Sequence, residues 1–310
     1  MIRLSYDPEL VEEAVMLAES AMPPEEAGAF RRERDRLYGI VEPQQREAAF
    51  RSLHLGWFTR IGLHESIGTV VAAREDLAQR LDEGRVLRAV ARNEEGADLV
   101  DHVAASAVED RPILVLRLRP ATVLDPDRVR ALLHHELTHV ADMLDPAFGY
   151  ERSLPSSDDG PSGDNIQRDR YRVLWDVTID GRLARSLRAD QPGASRDARW
   201  REFAATFSML GDACRSAFNA WFDCAHPTHA ELVAFALAPA GSETTRNSGR
   251  CPLCRFPVAS LDPRPDRLSP ATVTAIGEHH PSWDVAQGLC SQCLDLYEAR
   301  YGETSHAGCG

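Results

Sequence analysis

Between Asp125 and Leu144 the sequence dictates one local structure, and that structure carries the residues with the most chemistry. Asp125 suits an N-cap, and Pro126 suits the first helical position, where its missing N–H costs nothing. Val129, Leu132, Leu133, Leu137, Val140 and Leu144 then recur at three- and four-residue spacing, the buried stripe of an amphipathic helix. Inside this run stands His135-Glu136-Leu137-Thr138-His139. A four-residue step is slightly over one helical turn, so His135 and His139 leave the same face and can share one Zn²⁺. Glu136 sits beside that face, where its carboxylate can take a proton from a metal-activated water. Positions 132, 133, 137, 138, 140 and 141 are uncharged, as a buried active-site helix requires. His134 stays outside the pair, because the residue one turn on is Thr138.

The flanking segments predict a mainly helical α+β domain with a small sheet. The first 85 or so residues read as helical. Leu10, Val11, Ala14, Val15 and Ala18 form one stripe, ended by Pro23-Pro24. A second tract over 44–63 carries Phe50, Leu53, Trp57, Phe58 and Ile61, and a third covers 70–81; their aromatic rings are expected in the core. Residues 86–90 and 113–118 read as strands. The stretch 151–167 is rich in Pro, Ser, Asp and Gly and reads as a surface loop. Helices are expected at 170–187, at 199–222 and after Thr228, where Thr228 and Glu231 suit a capping box. A polar linker over 241–249 separates a domain over 1–240 from a small module over 245–310, with no internal repeat.

With a strand ahead of it, the 126–144 segment resembles the active-site helix of zinc-dependent metallopeptidases of the zincin class. The resemblance covers about 86–187 and is one of motif and order. It implies that His135 and His139 are the first two zinc ligands and that Glu136 is the general base. A catalytic zinc normally takes three protein ligands and keeps an open position. The gluzincin pattern supplies the third from a later helix, with an Asp four residues on that orients a histidine. Trp175-Asp176-Val177-Thr178-Ile179-Asp180-Gly181-Arg182 matches it, with Asp in place of the usual Glu. Asp176 and Asp180 face one side of their helix, so one can ligate while the other supports. The analogy favours Asp176 as ligand and Asp180 as support, and the spacing alone leaves the two exchangeable. In the metzincin arrangement the third ligand would instead be Asp145, but Asp142 stands where metzincins have Gly and no Met-turn follows. Tyr150, Tyr171, Arg182, His226 and His229 are equal candidates for an oxyanion donor.

Four of the seven cysteines form two pairs, Cys251-Pro-Leu-Cys254 and Cys290-Ser-Gln-Cys293, with 35 residues between the inner members. Four thiolates in two such knuckles make a closed tetrahedral site for a structural Zn²⁺. The module resembles a zinc ribbon, although Arg255 stands where many ribbons have Gly. A helical reading of 294–298 leaves a treble-clef-like form open. A module this small has too little core to fold without metal. Cys224, His226 and His229 read as packing and capping, Cys214 as a core thiol and Cys309 as a tail residue.

Composition narrows the function. All 35 basic residues are arginine, against 48 acidic ones, for a net charge of −13. Lysine is absent, which removes Schiff-base chemistry and the P-loop lysine. The acidic balance argues against nucleic acid, and even the 241–310 region carries six Arg against eight acidic residues. The acidic N-terminus lacks signal-peptide order, and the most apolar run, 232–238, is far too short for a bilayer, so a cytoplasmic protein is expected. The expected function is a zinc metallopeptidase acting on a peptide or protein, with one catalytic and one structural zinc. The alternative is a non-catalytic zincin-like adaptor that recruits a protein partner through its ribbon. Glu136 favours catalysis, since an adaptor has no physical need for it.

Overall fold

The computed structural model describes residues 2–101, 111–157, 160–186, 196–239, 251–256, 261 and 268–302. The chain opens on β1 (Arg3–Tyr6) and α1 (Pro8–Ala18). Asp7 caps α1 by accepting from the Glu9 N–H, and its second oxygen accepts from the Arg88 N–H, fixing the helix start to a neighbouring strand. Leu10, Val11, Ala14, Val15 and Ala18 are buried, as the stripe predicted. The helix ends at Ala18, and a 3₁₀ turn follows. Met22 is extended ahead of Pro23, as the expected stop requires, and Pro24 then opens α2 (Pro24–Leu37), at the one helical position where proline is favoured. The 44–63 tract is α3 (Pro43–Arg60), with His54, Trp57 and Phe58 buried. The 70–81 tract falls in two pieces, α4 (Glu65–Ala72) and α5 (Glu75–Ala78), because Arg74 between them leaves helical geometry at φ −94°, ψ 76°.

A four-stranded mixed sheet follows from β2 (Glu83–Arg88), β3 (Gly96–Val100) and β4 (Ile113–Leu118) in the order β1-β2-β4-β3. β2 runs parallel to both β1 and β4, and β3 closes the edge antiparallel to β4. The central strands bury Val86, Leu114, Leu116 and Leu118 in one core with α1, α3, α4 and the helix that follows. After the short α6 (Pro120–Val123), α7 (Pro126–Leu144) starts as predicted, with the Asp125 carboxylate accepting from the Arg128 N–H at 3.0 Å. Val129, Leu133, Leu137 and Val140 are fully buried.

The predicted loop is shorter than 151–167, because α8 (Gly160–Ser186) begins within it. Pro161 falls in its first turn, and Asp164 reaches back to accept from the Ser157 N–H at 2.6 Å, so turn-forming residues here start a helix. The 199–222 stretch is α9 (Arg196–Thr206), a 3₁₀ segment in which Gly211 takes φ +52°, and α10 (Cys214–Phe222). α11 (His229–Leu237) carries the predicted capping box, Glu231 accepting from the Thr228 N–H and Thr228 Oγ1 from the Glu231 N–H. The last elements are α12 (Pro270–His279) and α13 (Ser291–Tyr301). The architecture is α+β: mainly helical with one small mixed sheet.

Two compact units divide the chain. One comprises Met1–Ser153, Val173–Phe203 and Asn219–Leu232; the other comprises Leu154–Arg172, Ala204–Phe218 and Val233–Gly310. The predicted 241–249 linker and Cys309 lie outside the described residues.

Candidate metal centres

In the first unit α7 and α8 bring three donor atoms to a point. His135 Nε2, His139 Nε2 and Asp176 Oδ1 are 3.2, 3.3 and 3.0 Å apart in pairs. A tetrahedral zinc with bonds of ~2.0–2.1 Å needs its N and O donors about 3.3 Å apart, so the triangle has the size of one face of such a site. Asp180 stands one turn further along α8, and its Oδ1 lies 2.7 Å from His135 Nδ1. With Nδ1–H donating to Asp180, the Nε2 lone pair of neutral His135 points into the triangle. The geometry therefore separates two aspartates that their spacing left exchangeable. Asp176 joins the histidine nitrogens, and Asp180 backs His135.

Behind both carboxylates lies Arg199 of α9. Its Nε donates to Asp180 Oδ2 at 2.6 Å, and its Nη1 to Asp176 Oδ2 at 3.1 Å and to Glu202 at 2.7 Å. Holding Asp176 Oδ2 leaves Oδ1 as the oxygen turned to the histidines. Asp176, Asp180 and Glu202 bring three negative charges against one guanidinium, an excess that a divalent cation would balance. The histidine responds to the same charge. Burial alone would lower the His135 pKa, but the Asp176 and Asp180 hydrogen bonds and charges outweigh it and push it up to about 10. Burial would raise the Asp176 pKa, yet its histidine partners hold it far below the usual carboxylate range. The pocket favours positive charge.

Packing fixes this geometry. A Cβ at Gly181 would fall 1.7 Å from the Phe222 carbonyl oxygen, so only glycine lets α8 approach the end of α10 there. Trp175 packs its ring against His139 at 4.4 Å and donates its indole N–H to Asp142 at 2.7 Å. Asp142 also receives both terminal nitrogens of Arg182, at 2.7 and 2.6 Å. Phe148 stacks on Trp175, and Tyr150 and His229 complete the aromatic wall.

Glu136 lies on the β3 side of α7, where its Oε2 accepts from the Ala97 N–H at 3.0 Å. Asp145, the alternative third ligand, is exposed at the end of α7 and accepts from the Ala147 N–H; it is outside the donor group because the helix ends there and turns its carboxylate into the following turn. Of the oxyanion candidates, Arg182 is committed to Asp142, His226 is exposed, Tyr171 belongs to the other unit, and Tyr150 and His229 line the wall beside His139. Sequence reasoning missed Arg199, because nothing in Arg196–Thr206 marks one arginine of a polar helix as the partner of two buried carboxylates.

In the second unit the Sγ atoms of Cys251, Cys254, Cys290 and Cys293 all lie within 4.8 Å of one another. Cys254 and Cys290 sulfurs are 3.8 Å apart, the separation of about 3.8 Å that Zn–S bonds of ~2.3 Å impose in a tetrahedron. Cys290 caps α13, and its sulfur accepts from the Cys293 N–H. Burial would raise the Cys251 thiol, but backbone N–H groups bring it down to about 7, while burial and its neighbours push Cys293 up. Four sulfurs this close cannot all carry charge without a cation. Arg255 takes φ +61°, which shows why glycine is common at this knuckle position. The second pair opens a helix, a treble-clef-like feature, and no strand pair of a ribbon occurs among the described residues of this module. The structure thus holds a four-cysteine cluster suited to zinc and a His-His-Asp group suited to a second metal.

No protein family, no curated protein and no solved structure matches the chain. Any functional reading therefore rests on its own residues. Among the described residues, no helix is long and apolar enough to cross a membrane.

Proposed function

We propose that the protein is a zinc-dependent peptide hydrolase with a second, structural zinc in its cysteine module. The observation that supports this most is the convergence of His135, His139 and Asp176 at tetrahedral spacing, with the Glu136 carboxylate on the same helix. When bound, zinc would polarise a carbonyl and lower the pKa of a water toward ~7. Glu136 takes the proton of the attacking water and later returns it to the leaving amine. Asp180 accepts the hydrogen bond of His135 Nδ1–H and so keeps Nε2 free to ligate. Asp176 contributes one oxygen while Arg199 retains the other. Replacing Asp180 by asparagine is expected to weaken zinc binding about 10- to 100-fold, read by competition with a chromophoric chelator.

β3 forms the edge of the sheet beside the site, and there the Ala97 N–H donates to Glu136 Oε2 and the Leu99 carbonyl accepts from Arg152. A cavity of about 440 Å³ flanks it, lined by Leu99, Met143, Leu144 and Tyr150 with the Asp98 carboxylate. Arg152 lines the same cavity and pairs with Asp101, so the chain's own basic side chain meets its acidic rim. The cysteine module exposes Phe256 (67%) and Leu296 (62%), which favours a protein-facing role for it beside catalysis. A cytoplasmic setting belongs to the same reading, because thiols reserved for metal require reducing conditions.

The test combines metal analysis with digestion of a peptide library. Wild type should carry two zinc ions per chain and cleave. Glu136→Gln should keep both ions and lose at least about a hundredfold in rate, the usual contribution of a general base. Iron in place of zinc, or cleavage that survives the substitution, would sink the proposal. Loss of a cellular phenotype only on changing the cysteines would favour the adaptor reading.

A further inference from the structure

We propose that Gly96 and Ala97 of β3 are positioning residues for Glu136, an inference that rests on the hydrolase reading above. The first observation is the hydrogen bond from the Ala97 N–H to Glu136 Oε2, 3.0 Å long and partly buried. Ala97 lies opposite Leu116 on the edge strand, and its N–H is directed to Glu136. The second observation is independent of that bond. Gly96 has a backbone conformation open to any residue, so its glycine is not there for φ. A Cβ on Gly96 would instead stand 3.1 Å from Glu136 Oε2 and 3.6 Å from its carboxyl carbon. Gly96 opens β3, and a glycine in a strand often marks a place where another group approaches closely. Here that group is the carboxylate of the base.

The two residues act on one atom from two sides. The Ala97 N–H holds Oε2, and the missing Cβ at Gly96 leaves room for it. One oxygen is thereby anchored to the sheet, and the rotation of the carboxyl group about its own axis is restricted. Oε1 is then the oxygen that accepts the proton of water. The lone pair of Oε1 forms the new O–H bond, the water keeps the electron pair of the bond that breaks, and the proton passes from Oε1 to the leaving nitrogen later. Neither Gly96 nor Ala97 touches the reacting atoms. A base displaced by as little as ~1 Å loses about a hundredfold in rate, so an anchor on rigid sheet backbone is where a positioning effect would be largest.

Three full-length variants test this against the zinc-loaded wild type on a cleavable peptide from the library. Ala97→Pro removes the N–H at an edge strand, where proline is tolerated. Gly96→Ala keeps the N–H and adds the one crowding carbon. Val100→Ala, on the same strand, controls for general damage to β3. We expect kcat to fall about 10- to 100-fold in Ala97→Pro and several-fold in Gly96→Ala, in line with a base moved by a fraction of an ångström to ~1 Å. KM should stay within about twofold and zinc content unchanged, with Val100→Ala at wild-type values. Equal kcat in all four proteins, or a loss explained by zinc content or by KM alone, overturns the proposal. Hydrogen exchange supplies a readout that needs no activity. In Glu136→Ala the Ala97 amide should exchange faster while the β3 amides bonded to β4 keep their rates, and an unchanged Ala97 amide overturns the contact. A wild type that cleaves nothing overturns the hydrolase reading, whereas an active wild type with indifferent Gly96→Ala and Ala97→Pro overturns this inference alone.

Discussion

Serine in place of Cys290 is expected to unfold the cysteine module and remove one zinc ion per chain, while the sheet-centred unit stays folded. The described core of this module consists of Cys251, Ile276, Leu289, Cys290 and Cys293, so three of its five buried members are the proposed ligands themselves. Burying Ile276 and Leu289 contributes about 1.5–3 kcal/mol each. Ordering more than thirty residues costs roughly 1–2 kcal/mol apiece in backbone entropy, which these two side chains and the partly buried Leu253, Leu261, Leu268, Trp283 and Tyr297 packed on them do not offset. A structural zinc site, with an apparent binding free energy of roughly 10–16 kcal/mol, changes that balance. Cys290 is the member with most to lose. Its sulfur faces Cys254 at 3.8 Å and also accepts the Cys293 N–H as the cap of α13, so serine removes a ligand and replaces the cap with a shorter one. Circular dichroism should report the loss of α12 and α13, and limited proteolysis should cut within the 251–302 region only. A strong chelator should reproduce the effect in wild type. Full zinc content and protease resistance in Cys290→Ser would show that the core stands without its metal.

The same balance explains which parts of the fold were legible in advance. α7 was readable because every local signal agreed: an Asp cap, a proline at the first position, a continuous apolar stripe and no glycine. β4 was readable because it is buried on both faces, and a run such as Ile-Leu-Val-Leu admits little else. β3 was not, for the opposite reason. Gly96-Ala97-Asp98-Leu99-Val100 has weak strand propensity, and it is a strand because β4 offers it a ladder and α7 a surface. Both residues argued to position Glu136 lie on this strand. Pro161 misled in another way: it reads as part of a loop and stands in the first turn of α8, since proline suits a helix start as well as a turn.

The candidate site divides along a similar line. Helical spacing placed His135 beside His139 and Asp176 beside Asp180, because those pairs are local. It could not rank the two aspartates, since residues four apart are equivalent until something outside the helix distinguishes them. That something is α9, through Arg199, and α7, through His135 Nδ1. Asp142 entered the sequence reading only as the wrong residue for a turn. In the structure it is a buried hub that joins α7 to α8.

That hub gives the second large effect. Alanine at Asp142 is expected to destabilise the first unit by about 3 kcal/mol, because breaking a buried ion pair from one side strands the other charge. The carboxylate receives three N–H donors, two from Arg182 and one from Trp175. The Arg182 side chain is 23% exposed, so water recovers part of the loss, which sets the value at the low end of the ~3–5 kcal/mol range for such pairs. Urea unfolding followed by tryptophan fluorescence would report it, with Trp175 itself in the network. The double variant Asp142→Leu with Arg182→Met should recover most of the stability, since an apolar pair of similar volume leaves no charge unpaired. Zinc affinity should separate the two proteins less than stability does. Trp175 rests on His139 in either case, but without the Asp142 anchor its indole can turn, and the His139–Asp176 spacing of 3.0 Å would loosen with it. A single variant that costs under about 1 kcal/mol would mean that solvent already screens the pair and that ring packing alone holds α7 to α8.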